Sequence, residues 1–124
     1  MSSRVTILPM TTFLIVDDHR LFREQARALL EAEGLTVIGE AADGHTALGA
    51  VRDLRPDVVL LDIGLPDIDG FAVAERLAAG AAPPRVVLIS SREAATYGPR
   101  LATSPTIGFV QKDDLSAARI QALL

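Results

Sequence analysis

Acidic side chains follow two of the most apolar segments of this 124-residue chain. Residues 58–61, VVLL, run straight into Asp62, and residues 13–16, FLIV, run into Asp17 and Asp18. An ionised carboxylate left without partners in an apolar interior costs far more free energy than one buried leucine contributes. We therefore expect these aspartates where their strands leave the core, facing a ligand or one another.

Two further apolar segments end in polar side chains of another kind. Residues 86–89, VVLI, precede Ser90, and residues 107–110, IGFV, precede Gln111 and Lys112. In an open α/β sheet, ligands bind beyond the carboxyl ends of the strands, where the strand order reverses. If the strand order is 2-1-3-4-5, these four polar strand ends become neighbours, and the second strand, which lacks such an end, lies at the edge.

Three carboxylates at one place require a cation. Two like charges about 4 Å apart repel by roughly 4 kcal/mol at an effective dielectric near 20. A ligand set made only of oxygen suits Mg²⁺, which keeps several waters and leaves room for a phosphate oxygen. We expect Asp18 and Asp62 to bind Mg²⁺ directly and Asp17 to bind it through water, with the backbone carbonyl of Gly64 completing the set.

The remaining polar ends fit phosphoryl chemistry. The Lys112 ammonium and the Ser90 hydroxyl can hold phosphoryl oxygens as negative charge builds during transfer. A carboxylate can attack phosphorus, and Asp62 is the candidate nucleophile.

The elements that must position these groups alternate along the chain. Short β-branched or aromatic segments bounded by Asp, Gly, Pro or Ser predict five strands, and the intervening segments have helical spacing. Strands that are apolar on both faces and separated by helices predict a doubly wound α/β domain with a parallel sheet. The predicted strands are residues 13–16, 35–41, 58–61, 86–89 and 107–110.

The first two helices have apolar faces with clear ends. Gly34 is expected to end the first helix and Pro56 to follow the second. The predicted buried faces are Leu21, Phe22, Ala26, Leu29 and Leu30 in the first helix, and Ala47, Leu48, Val51 and Leu54 in the second. Between residues 91 and 106, by contrast, Gly98 and Pro99 fall where a helix interior should be, so a short, broken or irregular helix is expected.

Composition limits the class of protein. The net charge of −4 disfavours direct binding to nucleic acid, because phosphate binding needs clustered positive charge. The absence of cysteine excludes disulfides and zinc–thiolate sites. Residues 1–11 look loosely held and fit neither a secretory signal nor a membrane span, so a cytoplasmic domain over residues 12–124 is expected.

At these residues the chain resembles the response-regulator receiver domains of bacterial two-component signalling. VVLLDIGLPDIDG resembles the phosphoacceptor strand and loop of the family, FLIVDDH its acidic pair, VLISS its Ser/Thr switch strand, and GFVQK its aromatic-x-x-Lys ending. The resemblance runs from about residue 13 to the C-terminus and implies a flavodoxin-like fold. Residues 38–48 and 54–70 look most like the branch whose members usually carry a C-terminal LuxR-type helix-turn-helix output domain.

The resemblance implies a role for each matching residue. Asp62 would accept a phosphoryl group from a sensor histidine kinase or a small phosphodonor, with Mg²⁺ held by the acidic pair. Lys112 would pair with the phosphoryl group, and Ser90 would bond one of its oxygens. Phe109 would turn inward or outward according to Ser90, whereas Gly64 and Arg92 match positions that tune dephosphorylation.

The family also implies a kind of activity and partners. The domain would be a switch, catalysing only its own phosphorylation and dephosphorylation, and it would act on an output domain or downstream protein. Phosphorylation would alter that contact or self-association into a homodimer. The irregular segment after Ser90 departs from the regular fourth helix of relatives.

Other interpretations use the same residues. Asp17 or Asp18 could cap the first helix. A simple turn could account for Asp62, Pro66, Asp67, Asp69 and Gly70. His19 and His45 are expected to be surface residues without a catalytic role. An Mg²⁺-dependent aspartyl-phosphate hydrolase is one alternative function, although its usual second acid is replaced by Gly64. A dinucleotide or flavin binder is disfavoured by the acids after the first strand. A phosphate-independent pseudo-receiver that serves as an interaction module is a further alternative.

Overall fold

Five parallel strands form one sheet in the order β2–β1–β3–β4–β5, as predicted. This computed structural model describes residues 10–124, so most of the segment predicted to be loosely held, residues 1–11, lies outside the described part. The strand bounds agree with the apolar segments to within one residue. They are β1 Thr12–Val16, β2 Thr36–Ala41, β3 Val58–Asp62, β4 Arg85–Ser90 and β5 Gly108–Gln111.

Helices cover both faces of the sheet. The α-helices of the described residues are α1 Arg20–Ala32, α2 Gly44–Leu54, α3 Gly70–Ala78, α4 Pro99–Thr103 and α5 Ala117–Gln121. Single 3-10 turns occur at Ala94–Thr96 and Lys112–Asp114. Within residues 10–124, no helix has the length and apolar composition that a bilayer span requires.

Side chains of the central strands alternate between two apolar layers. Leu14, Val59 and Leu88 pack in the layer that also contains side chains of α2 and α3. Their neighbours, such as Ile15 and Leu60, pack in the layer that contains side chains of α1 and α5. The strands are buried on both faces, and this explains why their sequences are continuous apolar runs rather than alternating ones.

Three of the leucines predicted to be buried are exposed instead. In α1, Ala26 and Leu30 are buried, whereas Leu21 is 65% and Leu29 39% exposed. Each helical residue advances by about 100°, so Leu21 faces away from the stripe that contacts the sheet. Leu54 is 45% exposed because it is the last residue of α2, where Arg55 takes a left-handed conformation with φ of 50°.

The segment between β4 and β5 is irregular, as predicted. A 3-10 turn is followed by Gly98, with φ of 58°, and then by Pro99 at the first position of α4. The α4 helix has only five residues, none of them buried. The amide at the first position of a helix makes no intrahelical hydrogen bond, so proline is tolerated there and a new short helix can begin. Proline cannot continue the preceding turn, because it has no N–H to donate to that turn.

Candidate functional site

Four side chains with metal-binding atoms converge at the carboxyl end of the sheet. One ligand atom from each of Asp17, Asp18, His19 and Asp62 lies within 4.8 Å of the other three. Asp17 directly follows β1 and Asp62 ends β3, and these two strands are hydrogen-bonded neighbours. The predicted convergence of acids from two strands is therefore present.

The backbone around Asp17 fixes the acidic pair. The Asp17 amide donates to the carbonyl of Ala41 at 3.0 Å, and its own carbonyl accepts from the Arg23 guanidinium at 2.7 Å. Arg23 is held in turn by Glu40 at 3.1 Å. The Asp17 Oδ1 atom accepts from the His19 amide at 2.8 Å, a local turn rather than a helix cap, and His19 begins α1 without a side-chain cap. The alternative that these acids simply cap the first helix is not realised.

Asp62 is a buried carboxylate with few partners. It is 5% exposed, and its Oδ1 atom accepts one hydrogen bond, from the Gly64 amide at 3.3 Å. Burial and the neighbouring charge of Asp17 raise the pKa of Asp62 above its ordinary value, although Lys112 and the Gly64 amide act in the opposite direction. The fold thus holds this carboxylate at a cost in free energy, which an added positive charge would offset.

Lys112 lies over the acidic pair from the end of β5. Its ammonium group forms an ion pair with Asp17 Oδ2 and lies 3.7 Å from Asp62 Oδ2. The aromatic ring of Phe22 lies 4.5 Å from the same nitrogen and contributes a cation–π contact. Lys112 is therefore placed on the same rim as the carboxylates, as the sequence predicted.

The donor set fits a divalent cation such as Mg²⁺. Asp17 Oδ2 is buried, and apart from its ion pair with Lys112 it receives no hydrogen bond of normal geometry from the described residues. Carboxylate oxygens from three aspartates, without a sulfur donor, are the ligands that Mg²⁺ prefers. The structure shows the Gly64 amide bonded to Asp62, whereas the predicted role of the Gly64 carbonyl as a ligand remains a prediction.

The Ser90 hydroxyl lies at the end of the strand next to Asp62. Asp62 is in register with Ile89, so Ser90 is one residue further along β4. Ser90 is 4% exposed, and its Oγ atom accepts from the Arg92 amide at 3.0 Å and lies 2.6 Å from the phenol oxygen of Tyr97. Ser90 thus belongs to the same end of the sheet, but its hydrogen-bond partner is a residue that the sequence analysis did not single out.

The other predicted residues lie around this centre. Gly64 and Arg92 are exposed on the loops after β3 and β4, the positions expected of residues that contact a phosphoryl group from outside. Phe109 is half-buried, and its ring centroid lies 6.2 Å from that of Tyr97. The roles of these residues in dephosphorylation and switching remain predictions.

The loop between β3 and α3 is more than a local turn. The Asp67 carboxylate accepts from the amides of Gly44 at 2.8 Å and His45 at 2.9 Å, so it joins this loop to the start of α2. Burial acts to raise the pKa of Asp67, but these amides and the His45 ring together hold it well below its usual range. Asp69 caps α3 by accepting from the Ala72 amide at 2.9 Å.

Gly70 allows the start of α3 to lie against the end of β3. A Cβ atom at this position would lie 2.5 Å from the carbonyl oxygen of Asp62 and 2.7 Å from the Cα of Ile63. These are backbone atoms that cannot move aside, so only glycine fits. The Asp69-Gly70 ending of the sequence motif thus has a packing reason in addition to its turn propensity.

Two residues of the site were missed by the sequence analysis. His19 is a surface residue, as expected, with its side chain 70% exposed, but its Nδ1 atom also lies 3.1 Å from Asp17 and 3.3 Å from Asp18, which the sequence analysis did not predict. Its position two residues after Asp17 was the available signal, because such a residue donates its amide to the aspartate in a local turn. Tyr97 lies in the irregular segment, where no periodic pattern indicated which side chain would face the core.

Comparison with known proteins identifies the family. Residues 13–123 match the response regulator receiver domain, so the chain belongs to the receiver domains of response regulators. It is 39% identical over 101 residues to BvgA from Bordetella pertussis, whose name describes a transcription regulator of virulence factors; the match covers 82% of this chain and 48% of BvgA. The chain spans about half the length of the transcription regulators it matches.

Solved structures agree with this assignment and with the branch. The signal receiver domain of NarL from Mycobacterium tuberculosis superposes with a TM-score of 0.82 at 33% identity, covering 93% of this chain and 98% of that domain. A LuxR-family two-component response regulator from Aurantimonas sp. SI85-9A1 gives a TM-score of 0.82 at 27% identity, covering 93% and 83%. The resemblance to the LuxR-type branch of bacterial response regulators is confirmed.

Proposed function

We propose that this receiver domain is a phosphorylation-dependent switch in which Asp62 accepts a phosphoryl group from a sensor histidine kinase. The observation that carries the proposal is the convergence of Asp17, Asp18 and Asp62 beneath the Lys112 ammonium at one end of the sheet. This arrangement concentrates negative charge that a cation must offset, and it leaves one carboxylate at the end of a buried strand as a nucleophile.

In the proposed reaction a phosphoryl group moves from a nitrogen or oxygen atom of the donor to a carboxylate oxygen of Asp62. A carboxylate oxygen of Asp62 forms a bond to phosphorus while the bond between phosphorus and the donor atom breaks, and the donor leaves with the electron pair. Mg²⁺, when bound by Asp17, Asp18, Asp62 and the Gly64 carbonyl, supplies positive charge that offsets the charge developing on the phosphoryl oxygens. The domain catalyses this transfer to itself and the later hydrolysis of its own aspartyl phosphate, and it turns over no other substrate.

Lys112 and Ser90 act on the phosphoryl group after transfer. The Lys112 ammonium contacts both Asp17 and Asp62 without a phosphoryl group, so it is close enough to pair with a phosphoryl oxygen on Asp62. The Ser90 hydroxyl, at the end of the adjacent strand, donates to a second oxygen. These contacts join β3 to β4 and β5, and they alter the outer face formed by the last strands and helices.

The output of the switch is assigned to a partner of the receiver domain. This chain matches about half the length of relatives that are named as transcription regulators. We therefore assign the output to a transcription-regulating domain or a downstream protein. Phosphorylation alters that contact or promotes a homodimer. The sensor histidine kinase is the remaining partner, and DNA binding is left to the output domain.

Phosphorylation with a small donor tests the proposal. The chain is incubated with Mg²⁺ and acetyl phosphate, and intact mass spectrometry is expected to show the addition of one phosphoryl group with release of acetate. Asp62→Asn is expected to abolish the addition. Asp69→Asn is the matched control, because asparagine caps a helix as well as aspartate does and Asp69 lies outside the acidic cluster. An equal mass increase in the Asp62→Asn protein would contradict the assignment.

A phosphate-independent interaction module is the second candidate. The short, exposed α4 and the irregular segment around it favour this function, because a regular fourth helix is what relatives use to present the signalling face. Absence of any mass increase with acetyl phosphate, together with unchanged structure on addition of Mg²⁺ and beryllofluoride, would establish the module instead. Continuous turnover of a free phosphate ester would point to the hydrolase.

A further inference from the structure

The phenol of Tyr97 occupies a position that the sequence analysis left unassigned. Its oxygen lies 2.6 Å from Ser90 Oγ, although the two residues belong to different elements. Phe109, the aromatic residue predicted to respond to Ser90, has no polar atom with which to contact a hydroxyl. A direct polar link from Ser90 to an aromatic side chain therefore runs through Tyr97.

The hydrogen-bonding capacity of Ser90 restricts the direction of this link. A serine hydroxyl has one proton and two acceptor sites. The Arg92 amide, at 3.0 Å, takes one acceptor site. A phenol is a stronger acid than an aliphatic alcohol, so Tyr97 is the better donor and takes the second acceptor site. The only remaining hydrogen-bonding direction of Ser90 is its own proton, which is then free to point toward the phosphoryl position.

The Tyr97 ring is held by its neighbours. Its centroid lies 5.8 Å from that of Phe71 with an edge-on geometry, and 6.2 Å from that of Phe109. The guanidinium of Arg100 lies 4.1 Å from the Phe71 centroid and also pairs with Asp69 at 3.3 Å. The ring is thus in contact with α3, β5 and, through Phe71, the short α4, which together form the outer face near the irregular segment.

We infer that Tyr97 is a positioning residue that aims the Ser90 hydroxyl at the phosphoryl group. Tyr97 donates to Ser90, and Ser90 donates to a phosphoryl oxygen on Asp62. Each donor strengthens the next in such a chain. The inference rests on the proposed function and deepens it, because it assigns to the irregular segment the residue through which phosphorylation reaches the surface.

The effect of Tyr97 on binding has a definite sign. Without the phenol, no Tyr97 proton is donated to Ser90 Oγ. The Ser90 proton is then no longer held in the direction of the phosphoryl group. One hydrogen bond contributes a net factor of roughly two to ten in an equilibrium constant. Tyr97→Phe is therefore expected to weaken the binding of beryllofluoride, a phosphoryl analogue, by about two- to tenfold in the presence of Mg²⁺, while the fold is retained because the ring contacts remain.

Calorimetric titration of Mg²⁺-loaded protein with beryllofluoride measures this effect. Ser104→Ala is the matched control, since its hydroxyl lies in the same segment and is buried with no partner among the described residues, so its removal should leave the affinity unchanged. In a Ser90→Ala background, Tyr97→Phe should have no further effect, because the two residues act as one unit. In a Ser90→Thr background, which keeps the hydroxyl, Tyr97→Phe should again weaken the binding of beryllofluoride.

The wild-type chain supplies a second readout that needs no variant at Tyr97. Tyr97 is the only tyrosine and the chain has no tryptophan, so ultraviolet emission excited at the tyrosine band reports on this phenol alone. Beryllofluoride is expected to change that emission in the wild-type protein but not in Ser90→Ala. This comparison separates a relay through Ser90 from a general rearrangement of the segment.

The outcomes distinguish this inference from the proposed function. If wild-type protein binds no beryllofluoride with Mg²⁺, both are wrong. If it binds and Tyr97→Phe leaves the affinity unchanged, Tyr97 does not position Ser90. If Tyr97→Phe binds more tightly, the phenol competes with the phosphoryl group for Ser90, which also contradicts the inference. Only a loss of affinity that disappears in the Ser90→Ala background supports it.

Discussion

Replacement of Asp62 by asparagine should stabilise the metal-free domain while abolishing its chemistry. Ligand atoms of Asp17 and Asp62 lie within 4.8 Å of each other, and unit charges at that separation repel by at least about 3.5 kcal/mol at an effective dielectric near 20, so Asp17 opposes the ionised form of Asp62. Lys112, 3.7 Å away, attracts the Asp62 carboxylate by a comparable amount of about 4.5 kcal/mol. Because these two contributions roughly cancel, the burial of the carboxylate decides the sign.

The expected gain follows from that burial. Leaving a buried polar group without full pairing costs roughly 1–3 kcal/mol, and more for a charged group, so we take this range as the lower estimate of the gain. In a domain of 124 residues a gain of that size corresponds to an increase of about 4–12 °C in Tm. Asparagine keeps the acceptor for the Gly64 amide, and Lys112 keeps its ion pair with Asp17. The new carboxamide N–H groups face the neighbouring carboxylates of the acidic cluster, which can accept from them.

The stability difference should depend on pH with a known sign. Burial, followed by the charge of Asp17, raises the pKa of Asp62 in the folded state above its unfolded value of about 4. The contribution of Asp62 to stability is therefore complete below pH about 4, where it is neutral in both states, and is lost as pH rises through the folded pKa. The wild-type and Asp62→Asn proteins should have similar stability in acid and diverge toward neutral pH.

Thermal and urea unfolding in EDTA, followed by circular dichroism, measure the difference. Asp53→Asn is the control, because Asp53 is exposed and its substitution should change stability by less than about 0.5 kcal/mol. Added Mg²⁺ should stabilise the wild-type protein, by about 2.7 kcal/mol at a concentration 100 times Kd, and Asp62→Asn much less. An Asp62→Asn protein that is less stable than wild type at neutral pH without metal would refute the reasoning.

Two further substitutions test other parts of the site. Lys112→Ala should not weaken Mg²⁺ binding measured by calorimetry, because it removes an ammonium that competes for the same oxygens. It should, however, weaken the change in Tyr97 emission on addition of beryllofluoride. An equal change in the variant would contradict the role of Lys112. Asp67→Ala should lower Tm by several degrees at neutral pH, because two backbone amides lose their acceptor. Since the folded pKa of Asp67 is lowered, this advantage of the wild type should be present above pH about 4 and disappear as pH falls further; a difference independent of pH would refute it.

The strands and the acidic centre were predictable for one reason. Segments such as VVLL and FLIV are short, apolar on both faces and bounded by turn residues, which is typical of central strands in a covered sheet, and parallel strands bring their carboxyl ends to one edge. Asp17, Asp62 and Lys112 therefore had to meet once the strand order was right. The register of β1 on β3 and of β3 on β4 then brought Ser90 to the same edge.

Positions that depend on packing between elements were less predictable. Leu21 and Leu54 are apolar, but the rotation of α1 and the end of α2 leave them exposed. The Asp67 carboxylate looked like part of a turn, whereas it caps a helix more than twenty residues earlier in the chain. No local pattern encodes such a contact, because it depends on where two loops come together in space.

The amino-acid sequence was enough to predict five parallel strands and the polar groups at their carboxyl edge, because these follow from which residues must be buried and from the direction of parallel strands. The strand order was predicted as the arrangement that brings the four polar strand ends together. How that edge is connected to the surface became visible only in the folded domain. The bond between Ser90 and Tyr97 joins the end of a strand to an irregular segment whose path no periodicity specifies. That path is set by the packing of Tyr97 between Phe71 and Phe109, side chains that are distant along the chain and adjacent only in the folded domain.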